Sequence, residues 1–239
     1  MYFVYSLFIH GMYLFIPLLA LWNKKAKQWL EGQQKTQQFI HDFTHHPSAK
    51  SPLYWFHCAS LGEFEQARPL LEEIKEQNPS IRILLTFFSP SGYEIRKNYP
   101  LATYVLYLPL DSPLFLNPFL DTLQPTALFL AKYDFWPNLI ALAHKRAIPI
   151  LAFSTKFRSN QIYFRWYGSF FRQTLKKITF LFTQDQKSVD LLHKISISHA
   201  SFVGDTRLDR VVKISSHPQT FPRLTASNAR FFIAGSIDT

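Results

Sequence analysis

From residue 53 onward, short apolar runs alternate with stretches in which apolar residues recur every three or four positions. The runs fall at 53–58, 81–87, 104–108, 127–131, 148–153 and 179–182. Each has the length of a strand, and the segments between them have the length and periodicity of helices. Strands separated by helices pair in parallel through right-handed crossovers, so the pattern predicts an α/β fold: a Rossmann-like parallel sheet with flanking helices. Ligands of such sheets bind beyond the carboxyl ends of the strands, and the residues after each run are where chemistry is expected.

Ahead of this domain the pattern changes twice. Residues 2–22 hold no Lys, Arg, Asp or Glu, and Lys24, Lys25 and Lys27 follow at once. A helix of that length reaches across the roughly 30 Å hydrocarbon layer of a bilayer, and a basic flank after it favours the cytoplasmic side. The basic residues of a signal peptide would come before the run. A membrane-anchor helix with its basic flank is therefore expected over 1–30, with a helix lying in the interface or buried in the protein as the alternatives. Over 31–51 the composition turns polar, with His41, His45, His46 and Pro47, and predicts a linker.

The main domain is expected over 52–225. A last apolar run at 230–234 leads into Gly235 and Ser236, and reads as the first strand of a second domain over 226–239 that is cut short at Thr239. Within the main domain, Tyr163, Trp166, Tyr167, Phe170, Phe171, Thr174, Leu175 and Ile178 share one helical face. That face is expected to be buried against the sheet, with membrane docking as the competing reading.

Composition narrows the function. The 239 residues are 47% hydrophobic, enough for a large core, and carry a formal charge of +10 that favours an anionic partner. The cations are spread along the chain with no RNA-recognition or helix-turn-helix signature, which argues against nucleic acid. Cys58 is the only cysteine, so neither a disulfide framework nor a multi-cysteine zinc site is available. His41, His45 and His46 have no thiol and only Asp42 as a carboxylate beside them, so no metal site is expected. Gly-x-Gly-x-x-Gly, the P-loop and Asp-x-Asp are all missing, which weighs against dinucleotide, P-loop and metal-clamped nucleotide-sugar chemistry.

Four strand ends hold candidate groups. After the first run, Ser60-Leu61-Gly62-Glu63 opens a helical stretch; Ser60-x-x-Glu63 is a capping box, and Glu63 is also a carboxylate at the mouth of the sheet. Pro69 is expected to kink that helix or mark its true first turn. After the second run, Ser89-Pro90-Ser91-Gly92 starts another helix whose free backbone donors suit a phosphate or sugar carboxylate. Lys132 and Asp134 follow the fourth run, either pairing across a turn or aimed into the cleft. Lys156 and Arg158 follow the fifth, where cations favour an anionic ligand.

In order and spacing, His57-Cys58-Ala59-Ser60-Leu61-Gly62-Glu63, Ser89-Pro90-Ser91-Gly92, Phe135-Trp136-Pro137-Asn138-Leu139-Ile140 and Gly204-Asp205-Thr206-Arg207-Leu208-Asp209 resemble the family of 3-deoxy-D-manno-octulosonic acid (Kdo) transferases. The resemblance implies the N-terminal domain of a GT-B glycosyltransferase that moves Kdo from CMP-Kdo to a lipid A precursor, in lipopolysaccharide biosynthesis at the cytoplasmic face of the bacterial inner membrane. It implies an inverting, cofactor-free displacement with Glu63 as general base. Ser60, Gly62, Ser89, Ser91, Gly92, Lys132, Asp134 and Arg158 would bind the acceptor, while Arg207 and Ser236 would lie toward the donor or between domains. Implied partners are the lipid A precursor, CMP-Kdo, inner-membrane lipids and the missing C-terminal domain, without which the fragment is expected to be inactive. The sequence departs from the family pattern at Lys132, where many members carry an acidic residue. Two other readings stand beside this one: a non-catalytic membrane-tethered lipid- or anion-binding module, and an unrelated nucleotide-binding Rossmann protein.

Overall fold

The computed structural model describes residues 1–43 and 51–216. The expected strand at 230–234, Ser236 and the boundary at 225/226 lie outside the described residues, as do His45, His46 and Pro47.

Seven strands form one parallel sheet: β1 (Leu53–Cys58), β2 (Arg82–Phe87), β3 (Tyr104–Tyr107), β4 (Ala127–Ala131), β5 (Ile150–Thr155), β6 (Phe180–Thr183) and β7 (Ala200–Phe202). Their order across the sheet is β3-β2-β1-β4-β5-β6-β7, with Trp55 of β1 level with Leu84 of β2 and Leu128 of β4. The helices that follow the strands are α3 (Leu61–Gln77), α4 (Pro90–Arg96), α5 (Pro113–Leu123), α6 (Pro137–Lys145), α7 (Ser169–Leu175), α8 (Gln186–Lys194) and α9 (Thr206–Ser215). Side chains alternate between faces along each strand, and both faces are covered, so the strands read as continuous apolar runs. Leu53 and Trp55 join Leu128 and Leu130 in one core, while Phe56 and Cys58 join Phe129 and Ala131 in the other.

The order reverses between β1 and β4: β2 and β3 extend to one side, β5 to β7 to the other. Loops leaving the carboxyl ends of β1 and β4 therefore diverge and leave a crevice between them, where open α/β sheets hold their ligands.

Before the sheet come two helices, α1 (Tyr2–Ala20) and α2 (Lys24–Asp42). The α1 helix is long and apolar enough to cross a membrane by length and composition. The linker expected over 31–51 is helical as far as Asp42, and the side chain of Asn23 caps its start by accepting from the backbone of Lys25 and Ala26. It lies along β3, the edge strand. Gln33 Nε2 donates to the carbonyl of Leu108 at 2.7 Å, and the Tyr107 amide donates to Thr36 Oγ1 at 3.2 Å. A free sheet edge exposes unpaired backbone groups, and here polar side chains of a helix satisfy them. Gly32 lets the helix come close: a Cβ there would stand 2.2 Å from the Tyr107 ring.

Two further expectations are corrected, and one strand the sequence did not show is added. The α3 helix runs uninterrupted from Leu61 through Pro69 to Gln77. Strand β7 has only three residues, too few to show a period in the sequence. The single face expected over 163–178 is split between a 3-10 turn at Ile162–Phe164 and α7. Phe170, Leu175 and Ile178 are buried, but Trp166 is 89% and Tyr167 58% exposed.

Candidate active site

The loop after β1 and the loop after β4 meet at the crevice. Ser60 is extended and caps α3, and Glu63 closes a reciprocal capping box, its Oε2 accepting the Ser60 amide at 3.1 Å. The neighbouring amide of Ala59 donates instead to Asp134 Oδ2 at 2.9 Å. Two consecutive backbone donors thus hold two carboxyl groups side by side. Burial first, and then the charge of Glu63, push the Asp134 carboxyl well above the usual carboxylate range, with the Ala59 amide and Lys132 opposing the shift.

Beneath the pair lies a buried network that the sequence reading left without a role. Trp136 Nε1 donates to His57 Nε2 at 3.2 Å, which puts the ring proton on Nδ1, 2.9 Å from Thr86 Oγ1. Trp55 Nε1 donates to the same hydroxyl at 2.8 Å. Burial lowers the His57 pKa to about 3, so the imidazole is neutral. Its 3.6 Å approach to Asp134 Oδ2 is therefore not an ion pair. Cys58 is fully buried; burial, then Glu63 and Asp134, push its thiol up and leave it unreactive.

The Trp136-Pro137-Asn138 segment is a structural junction. Pro137 occupies the first turn of α6. The amides of Asn138 and Leu139 donate to the buried carboxylate of Asp111, at 3.1 and 2.8 Å, so a residue from the loop after β3 caps α6. The side chain of Asn138 donates to the Asp111 carbonyl and to Ser6 Oγ of α1. Burial raises the Asp111 carboxyl to about 6 despite these bonds. Sequence spacing gave Asp111 no signal, because its partners lie far along the chain.

The remaining candidates fall into groups. Ser89 caps α4, its Oγ accepting the Ser91 amide, and its own amide donates to the Ala59 carbonyl at 2.7 Å, tying the second loop to the first. Gly92 is demanded by packing: a Cβ would meet the Phe87 ring at 2.3 Å and the Leu61 amide at 3.1 Å. Gly62 is exposed, and a Cβ there would meet only Ser60 Oγ, at 3.9 Å. Lys132 adopts a left-handed conformation, φ 58°, and its charge acts on Asp134. Arg158 is exposed and stands by Tyr133 rather than by the carboxyl pair. Arg207 is engaged by Asp205, whose carboxylate also accepts from Gln66 and Gln184. Gly204 turns into this cluster at φ 96°, a conformation that favours glycine.

Sheet order and switch-point crevice define a Rossmann-like α/β domain. Among solved structures the fold is similar to a UDP-N-acetylglucosamine 2-epimerase (TM-score 0.55, 13% identity, 74% of this chain and 54% of that one) and to the UDP-GlcNAc 2-epimerase of Neisseria meningitidis (TM-score 0.51, 17% identity, 74% and 51%). The family described as 3-deoxy-D-manno-octulosonic-acid transferase (kdotransferase) matches residues 32–210, and the chain belongs to that family. It is 33% identical over 168 residues to a probable mitochondrial 3-deoxy-D-manno-octulosonic acid transferase of Arabidopsis thaliana, covering 69% of this chain and 37% of that protein. It is 30% identical over 139 residues to the 3-deoxy-D-manno-octulosonic acid transferase of Haemophilus influenzae (57% and 31%), and 38% identical over 101 residues to that of Aquifex aeolicus (42% and 28%). The chain thus spans well under half the length of these three relatives. Its apolar N-terminal helix is compatible with membrane association.

Proposed function

We propose that this chain is the acceptor-binding side of an inverting glycosyltransferase that moves Kdo from CMP-Kdo to a lipid A precursor at the cytoplasmic face of the inner membrane. The observation that carries the reading is the Glu63–Asp134 pair, two carboxyls held side by side by consecutive amides at the switch point of the sheet. Glu63 takes the proton of an acceptor sugar hydroxyl as that oxygen bonds to the anomeric carbon of Kdo. The bond from that carbon to the CMP phosphate breaks on the opposite face, and CMP leaves with the electron pair. Lys132 and the helix start at Ser89 supply cationic and backbone donors for acceptor phosphate. No metal or cofactor is required. CMP-Kdo is expected to be held mainly by the parts of such enzymes that this chain does not match, since the matches cover only 37%, 31% and 28% of the three relatives.

The test is to join this chain to the donor-binding half of a Kdo transferase and measure Kdo addition to lipid A precursor by mass spectrometry. Glu63→Gln is expected to lower transfer by on the order of 10²-fold or more while acceptor binding persists, the size of a general-base contribution. Turnover close to that of the parent would reduce Glu63 to a helix cap.

A further inference from the structure

One stripe of α1 faces the protein along its whole length. Lys177 donates to the Tyr2 hydroxyl, and Tyr2 and Tyr5 pack on Phe170 of α7. Tyr5 stands by the Asp111 carboxyl, and Ser6 accepts from Asn138 at 3.0 Å. His10 Nδ1 donates to the Ser6 carbonyl, so its Nε2 accepts from Ser112 Oγ at 3.1 Å. Further along, Tyr13 stands against Trp29 and Phe115, and Ile16 packs on the same small core. Nineteen residues at 1.5 Å each make this docked length about 28 Å. A helix held in this way cannot cross a bilayer alone. The side of the domain along it would have to enter the hydrocarbon with Lys177, Asp111 and Asn138, and desolvating such groups is prohibitively unfavourable.

The opposite stripe is apolar and open to solvent: Phe3, Leu7, Phe8, Leu14, Phe15 and Leu18 are all exposed. Exposed aromatics stand at both ends, Trp22 after the helix and Trp166 with Tyr167 beside α7, which meets the helix start. Tryptophan and tyrosine favour the headgroup level of a membrane. Charge points to the same partner. Residues 1–30 and 135–184 contain no Asp or Glu, while Lys24, Lys25 and Lys27 flank one end of the helix and Arg165 and Lys176 the other.

We propose that α1 lies flat in the surface of an anionic bilayer, its outer stripe at the acyl-chain boundary and its inner stripe docked on the domain. The inference rests on the membrane reading above and adds an orientation to it. In this pose the helix does not carry the domain on a stalk; it holds the α6 junction, and with it the Trp136 side of the carboxyl crevice, close to the lipid surface.

The full chain, whose only cysteine is buried, is spin-labelled at Phe3→Cys, Phe8→Cys or Phe15→Cys and added to vesicles of phosphatidylglycerol and phosphatidylethanolamine. Depth is read from relaxation by oxygen against a water-soluble nickel complex. The three labels are expected at one shared shallow depth. Labels that deepen from either end toward the middle of the bilayer would show a spanning helix and overturn the in-plane pose while leaving membrane binding intact. Failure to bind vesicles at all would remove the membrane reading itself, and self-association through α1 in its place would assign the stripe to a second copy. Lys24→Glu with Lys25→Glu is expected to weaken vesicle binding on the order of tenfold; unchanged binding would overturn the anionic partner.

Discussion

At the residue scale, Glu63 performs two tasks with one carboxylate. Its capping bond to the Ser60 amide fixes where the side chain stands, and the crevice then presents it next to Asp134. A cap and a base are compatible because a carboxylate has several lone pairs, and one bond leaves the others free. The raised Asp134 carboxyl has a consequence for stability. A carboxyl whose folded pKa lies above its unfolded value of about 3.9 binds more protons in the folded state between the two values. Its contribution to stability is therefore lost as pH rises from about 4 toward neutrality. Asp111, raised to about 6, acts in the same direction, while His57, lowered to about 3, acts in the opposite one. The variant Asp134→Asn isolates one of them. Urea unfolding from pH 4.5 to 7.5 should show stability falling less steeply with pH in the variant than in the parent; identical slopes would mean that Asp134 is not held protonated.

At the element scale, α2 is the lesson. Its Gln33 and Thr36 look like linker residues because they are polar, yet both are buried and meet the free edge of β3. Polarity predicts exposure only where no backbone group needs a partner, and an edge strand is where backbone groups do. Gln33→Leu keeps the volume but leaves the Leu108 carbonyl unpaired, and is expected to cost about 1–3 kcal/mol. The same change at exposed Gln34 should stay within about 0.5 kcal/mol. Denaturation midpoints of the two variants decide it. The split of the 163–178 face has a related origin: the helical period persists through residues that break into a turn, and Trp166 is then carried outward. Periodicity fixes which residues would share a face if a helix formed, not whether one does.

At the scale of the whole molecule, the crevice, the α6 junction and α1 form one connected unit. Trp136 reaches His57 under the carboxyl pair, and two residues later Asn138 reaches Ser6 of α1. A terminal helix acting only as a tether would be independent of the domain's stability. Here, removal of residues 1–22 is expected to lower the stability of the remaining domain by about 2 kcal/mol or more, since Asn138, Ser112 and Asp111 each lose a partner. Thermal melting in detergent of the full and shortened chains measures it, and equal melting temperatures would show that α1 contributes nothing to the fold.

The linear chain by itself determined the α/β layering, six of the seven strands and the positions of Ser60, Glu63, Ser89 and Asp134 at strand ends, because these follow from period, length and local capping. Motif order along the chain also determined its family. Only the tertiary structure decided that Glu63 and Asp134 stand side by side, that Asp111 caps a helix 26 residues away in sequence from its own position to Pro137, that α2 seals a sheet edge and that α1 is docked along its length. Each of those depends on pairing across long sequence separations, where a side chain's partner, and with it its charge and burial, is set by how strands are ordered in space rather than by its neighbours in the chain.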